Sequence, residues 1–150
     1  MRITVEQIRK VINGLKDDLG EGFVDTDIWD TSSNKSVAFH HNQGVVPQYG
    51  FVPKHIKLFR EISKVLNNAL KESHYPPLGD FYLIQLNNNQ LIVVLNIKPG
   101  QSNHKLSGNK HTLGYSGTVV HQQFILVDLS KTTIGALLSI AIPNVFKNYK

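Results

Sequence analysis

Cysteine is absent from this 150-residue chain. Its absence excludes a disulfide scaffold, a thiol nucleophile and a zinc–thiolate centre together. Long hydrophobic runs are missing as well. The most apolar stretch, Ile134–Phe146, falls short of the ~18–20 residues that a membrane span needs, and Pro143 interrupts it. The opening MRITVEQIRKVI lacks the unbroken apolar core of a secretory signal. A cytoplasmic chain is therefore expected. Basic clusters are scarce too: the 16 Lys and Arg residues give a net charge of +5, but no run exceeds Arg9-Lys10. Clustering is what marks a nucleic-acid or membrane footprint, so the basicity reads as a solvated surface. No internal repeat or linker divides residues 1–150, and 41% hydrophobic residues suit a single domain with a sizeable core.

Catalytic signatures are equally thin. The sequence holds no H-E-x-x-H, no G-x-x-x-x-G-K-[ST] and no G-x-S-x-G. Asp25 and Asp27 flank Thr26 on an expected strand, ~7 Å apart on one face, a spacing that suits a cation or an acid/base pair. A solvated strand face accounts for them equally well, and Trp29 beside them is either a buried structural residue or an exposed partner anchor. Among the seven histidines, His40 and His41 alternate faces, while His104, His111 and His121 sit in or next to a long polar segment. Neither arrangement has metal-ligand spacing. Gly100, Gly108, Gly114 and Gly117, interleaved with Lys98, Lys105 and Lys110, hint at an anion loop without the strand–turn–helix setting such loops use. No enzyme, no metal and no cofactor is expected.

What is present is architecture. Within Gly79–Lys98, the runs Phe81–Leu86 and Leu91–Ile97 flank an Asn87-Asn88-Asn89-Gln90 turn and read as a β-hairpin. Both runs are apolar on both faces, which calls for helices on each side of the sheet. Thr4-Val5-Glu6-Gln7 has capping-box form, and Val5, Ile8, Ile12, Leu15 and Leu19 form one helical stripe over 4–19, with Gly20 as its stop. Phe23–Asp30 and Ser36–His41 form a first hairpin, with Val24, Thr26 and Ile28 on one face and Asp25, Asp27 and Trp29 on the other. A second helix starts just after Pro53, with Ile56, Phe59, Ile62, Leu66, Ala69 and Leu70 turned inward. A strand from Thr118 through Leu129 leads to a last helix that Pro143 should bend or loosen. Segments 43–53 and 99–121 are long loops. The fold class is α/β of the α+β type: a five-stranded, mainly antiparallel sheet with helices on both faces, in the order α-ββ-α-βββ-α.

This order, with GEGFVDTDIWDTSSNKSVAFHHN before a helix and PPLGDFYLIQLNNNQLIVVLNI after it, resembles the Roadblock/dynein-light-chain family of the profilin-like group. The resemblance spans nearly the whole chain and rests on element order and hydrophobic pattern; the two long loops exceed the family's usual connections. It implies a non-enzymatic homodimer that serves as a scaffold or regulates small Ras-like GTPases, bacterial gliding-motility GTPases among them, or dynein-type motors. Pairing through helix 2 and the third strand would involve Lys57, Arg60, Glu61 and Lys64 with Phe81, Tyr82, Leu83 and Ile84. Independently, an edge position for Phe81–Leu86, which carries neither Lys nor Pro to block association, would favour strand pairing. Alternatives are a PAS-like sensory domain with a small ligand beneath the long loops, a single-strand nucleic-acid binder using Phe51, Tyr115, Lys105 and Lys110, and an engineered chain with no native function.

Overall fold

The computed structural model describes residues 3–42, 53–98 and 119–150. Most of the two long loops, including Phe51, His104, Lys105, Lys110, His111 and Tyr115, lies outside the described residues.

Thr4 begins the first helix as its sequence demands. Its hydroxyl accepts from the Gln7 amide at 3.1 Å while the Gln7 side chain accepts from the Thr4 amide at 2.9 Å. Two of the helix's orphan N–H groups are satisfied in this way. Helix α1 runs Val5–Leu19 and buries Val11, Leu15 and Leu19. The strands are β1 (Phe23–Asp30), β2 (Lys35–His41), β3 (Phe81–Gln85), β4 (Gln90–Ile97) and β5 (His121–Asp128), with α2 (Pro53–Glu72) between the first two and the rest. They form one antiparallel sheet in the order β2-β1-β5-β4-β3.

The sheet has helices on both faces, as the two-sided apolar strands require, but the layers are unequal. On one face Phe23, Leu91, Val93, Leu95, Ile97, Ile125 and Val127 pack against α1 and the last helix, α3 (residues 134–148). On the other, Trp29, Val94 and Phe124 meet Phe59 of α2, with Tyr82, Ile84 and Ile92 around them.

Local geometry departs from the sequence pattern in two places. The β1 register slips against β5 between Phe23 and Asp25 and against β2 between Ile28 and Trp29. The first bulge turns Val24 to pack with Leu126 and Ile92 instead of sharing a face with Thr26 and Ile28, because a bulge resets side-chain alternation. The second concerns α3, which has three parts: Ile134–Ala136, a π turn Leu137–Ala141 and Ile142–Asn148. Pro143 removes an N–H and crowds the carbonyl four residues before it. The helix responds by widening upstream, with the Ile142 N–H reaching the Leu137 carbonyl, rather than by loosening its last turn.

Candidate functional site: the α2 face and the β3 edge

Strand β3 lies at an edge of the sheet, with β4 as its single partner strand among the described residues. Phe81, Tyr82, Leu83 and Ile84 are all half-buried. Tyr82 and Ile84 lie on the α2 side, Phe81 and Leu83 on the α1 side. The Tyr82 hydroxyl sits 3.1 Å from both the Ser63 hydroxyl and the Phe59 carbonyl, pinning the middle of α2 over the hairpin. Burial holds the Tyr82 hydroxyl above the ordinary tyrosine range, with the Ser63 contact opposing it.

Helix α2 is more apolar than the sheet beneath it can cover. Phe59 is buried, and Ile62, Ser63 and Leu70 are half-buried. Leu66 and Ala69, expected inward, stand exposed, and Ile56 lies outside the described side chains. Leu58 and Val65 are 55% and 64% exposed. At 100° per residue, Leu58, Val65 and Ala69 fall on one flank of the Phe59 line, whereas Arg60, Lys64, Asn67 and Lys71 fall on the other. Lys57 and Glu61 point outward between them. Glu61 lies 3.7 Å from Lys64, and Arg60 donates to the Asn34 side chain at 3.2 Å.

The acid pair of β1 is structural in character. The Asp25 carboxylate sits 2.7 Å from Nδ1 of His41 across the β1–β2 ladder. Asp27 accepts from the Ser36 hydroxyl at 2.6 Å. Burial lifts the Asp27 carboxyl above its usual range, and the Ser36 hydroxyl works against that rise. Trp29 is 5% exposed, packed in the α2-side core, so its burial fits the structural reading rather than an exposed anchor. His40 stacks on Phe23 on the opposite face from His41. Among the described residues no group of three His, Asp or Glu side chains could hold a metal ion, and no helix is long and apolar enough to cross a membrane.

Two hollows adjoin the polar flank of α2. One, of about 260 Å³, is lined by Arg60, Ser63, Lys64 and Asn67 with Thr31, Asn96, Val119 and Gln122. The other, of about 670 Å³, shares Asn67, Asn96 and Val119 and extends past Lys71, His74, Tyr75, Leu78 and Lys98. Sequence reasoning missed both, since Asn96 and Gln122 sit within strands that otherwise read as pure core.

Solved structures of MglB superpose on nearly the whole chain. One, described as MglB with a tetrameric arrangement, gives a TM-score of 0.62 over 99% of this chain and 93% of that one. The chain has the MglB fold. The gliding protein MglB of Thermus thermophilus also gives 0.62, over 98% and 93%, and Myxococcus xanthus MglB gives 0.57 over 97% and 90%. Identities are 9%, 9% and 8% respectively, so the likeness is one of fold. No protein-family model and no curated protein matches the sequence. The fold shared with these structures, a five-stranded antiparallel sheet with helices, is the one expected from the element order.

Proposed function

We propose that this chain is a cytoplasmic, non-enzymatic module of Roadblock type that pairs with a second copy of itself and regulates a small Ras-like GTPase. The observation that carries the reading is the exposed apolar flank of α2, Leu58 and Val65, on an element pinned directly to β3, whose outer edge has no partner strand among the described residues. An edge strand left unpaired by the described residues and an exposed apolar helix flank are both unfavourable in water, and one partner copy covers both. The tetrameric arrangement described for one MglB structure agrees with association through this fold. Phe81, Tyr82, Leu83 and Ile84 form the strand part of the seam, and Leu58, Ile62 and Val65 its apolar helix part. Lys57 and Glu61 sit at the rim, where ion pairs contribute no more than ~1 kcal/mol. Arg60 and Lys64, the other two helix residues of the expected set, lie on the opposite flank of α2. A motor-complex subunit is the second partner class this architecture suits.

Sedimentation velocity at tens of micromolar tests the pairing, with a dimer as the expected species. Leu58→Glu together with Val65→Glu removes the burial of two side chains per protomer, each worth about 1.5–3 kcal/mol when fully buried. Association should weaken by about a hundredfold or more, with an unchanged circular-dichroism spectrum. A wild-type chain that stays strictly monomeric overturns the proposal. The GTPase part is checked by co-sedimentation with a Ras-like GTPase loaded with a non-hydrolysable GTP analogue.

A further inference from the structure

We infer that the paired hollows beside the polar flank of α2 form a binding site for a small phosphate monoester. The site is distinct from the proposed dimer seam and does not depend on pairing. It lies between α2 and the ends of β4 and β5, and its chemistry follows from which hydrogen-bonding groups are already committed. Asn96, 5% exposed, and Gln122, 3% exposed, form its floor. The Gln122 amide nitrogen donates to Oδ1 of Asn96 at 2.9 Å, and the Gln122 Oε1, fully buried, has no partner among the described residues. The two amides can pair either way round. In both arrangements the far end of Gln122 is left for a third group, and a buried amide end without one costs about 1–3 kcal/mol.

The walls supply donors. The Asn67 side-chain carbonyl is taken by the Leu78 amide at 2.7 Å, so what Asn67 has left to offer is its NH₂. With the amide pair as it stands Asn96 also keeps its NH₂, and Arg60, one of whose nitrogens donates to Asn34, and Lys64, 3.7 Å from Glu61, line the same hollow. Fork and point donors together suit an oxyanion. Donors on α2 and on one strand, Asn96 of β4 or Gln122 of β5 according to which way that amide pair faces, line one hollow, and such a mixed set suits the several oxygens of a phosphoryl group. At about 260 Å³ this hollow holds a phosphoryl group and a few carbons. The adjoining hollow of about 670 Å³ brings Lys71 and His74 together with the apolar surfaces of Tyr75, Pro77 and Leu78, a wall suited to the organic part of the same molecule. A hydroxyl on the carbons next to the phosphate, in the smaller hollow that Gln122 lines, matches the Gln122 carbonyl in the arrangement where it remains the open end.

The test is a titration of the ¹⁵N-labelled full chain with inorganic phosphate, glycerol 3-phosphate and adenosine monophosphate, read at side-chain amide resonances. Saturable shifts concentrated on Asn67, Asn96 and Gln122, tighter for a monoester than for inorganic phosphate, are expected. Arg60→Gln with Lys64→Gln should weaken binding at least tenfold, while Lys10→Gln with Lys16→Gln on α1 leaves it unchanged. Gln122→Leu should weaken it as well, and its folding is checked by thermal unfolding; Asn67→Leu serves if Gln122→Leu does not fold. Shifts spread over exposed lysines, or binding equal in the Arg60/Lys64 variant, overturn the site. So does binding to vesicles of phosphatidylcholine and phosphatidic acid without binding to free glycerol 3-phosphate, which would assign the phosphate chemistry to a lipid headgroup.

Discussion

Tyr149 closes a short chain of hydrogen bonds through the thickest part of the core. The Thr26 hydroxyl donates to the Phe124 carbonyl at 2.8 Å, the Gln123 amide donates to the Thr26 oxygen at 2.9 Å, and the Tyr149 hydroxyl donates to the Gln123 carbonyl at 2.6 Å. Burial pushes the Tyr149 phenol far above its usual range, so it remains a donor at any ordinary pH. Each link disposes of a polar atom that would otherwise be stranded. Tyr149→Phe keeps the ring and strands Gln123 Oε1, so it should cost about 1–3 kcal/mol. For a chain of this length that is roughly 2–4 °C of melting temperature per kcal/mol. Urea unfolding of the variant checks it, and a change below about 0.5 kcal/mol, the size of an ordinary surface substitution, would show that another group or solvent serves Gln123. None of this was legible in the sequence. Gln122 and Gln123 are polar positions in an otherwise apolar strand, and their burial depends on partners 26 and 97 residues away, respectively.

The elements themselves were mostly legible, because each carries a local signal strong enough to survive packing. Thr4 and Gln7 cap α1 in the expected way, the Asn-rich turn joins β3 to β4, and the apolar runs lie inside. Failures came where a neighbouring element decides the outcome. The β1 bulge, the π turn ahead of Pro143 and the bare flank of α2 all depend on what lies opposite, which no periodicity encodes. Gly22 is a case in which the constraint is steric. It joins α1 to β1 against the loop after β5, and a Cβ there would lie 2.5 Å from Cγ2 and 2.6 Å from Cβ of Thr132, and 3.2 Å from the Asp128 carbonyl. Gly22→Ala should destabilise by about 1–3 kcal/mol through overpacking, and Thr132→Gly in the same chain should recover part of that loss. Thermal unfolding of the single and double variants measures the coupling. Strictly additive effects would mean that the two sites do not touch.

At the scale of the whole molecule, buried ionisable groups join the two ends of the sheet to one pH response. His121 is 6% exposed at the start of β5, with Asp30 opposite it on β1. Burial holds its imidazole below the ordinary histidine range, against the pull of the Asp30 charge. His40 is lowered by burial first, then by the charges of Lys16 and His41, with Asp25 opposing. Below about pH 6.5 the unfolded chain takes up protons at both positions that the folded chain resists. Stability therefore falls as pH drops through the window between about 6.5 and the lowered values. Asp27 acts in the opposite sense. Its raised folded value makes the folded chain hold a proton that the unfolded chain releases from about pH 4 upward, so its contribution favours the fold toward acid. Descending from neutral pH, the histidine window is met first. The urea midpoint should drop between about pH 7.5 and 5.5, and His121→Gln should make that drop shallower. Protein concentration must be held fixed across the series, because pairing adds stability by mass action. A wild-type midpoint that stays flat over this range would mean that the folded chain accepts a proton at His40 and His121 as readily as the unfolded chain does.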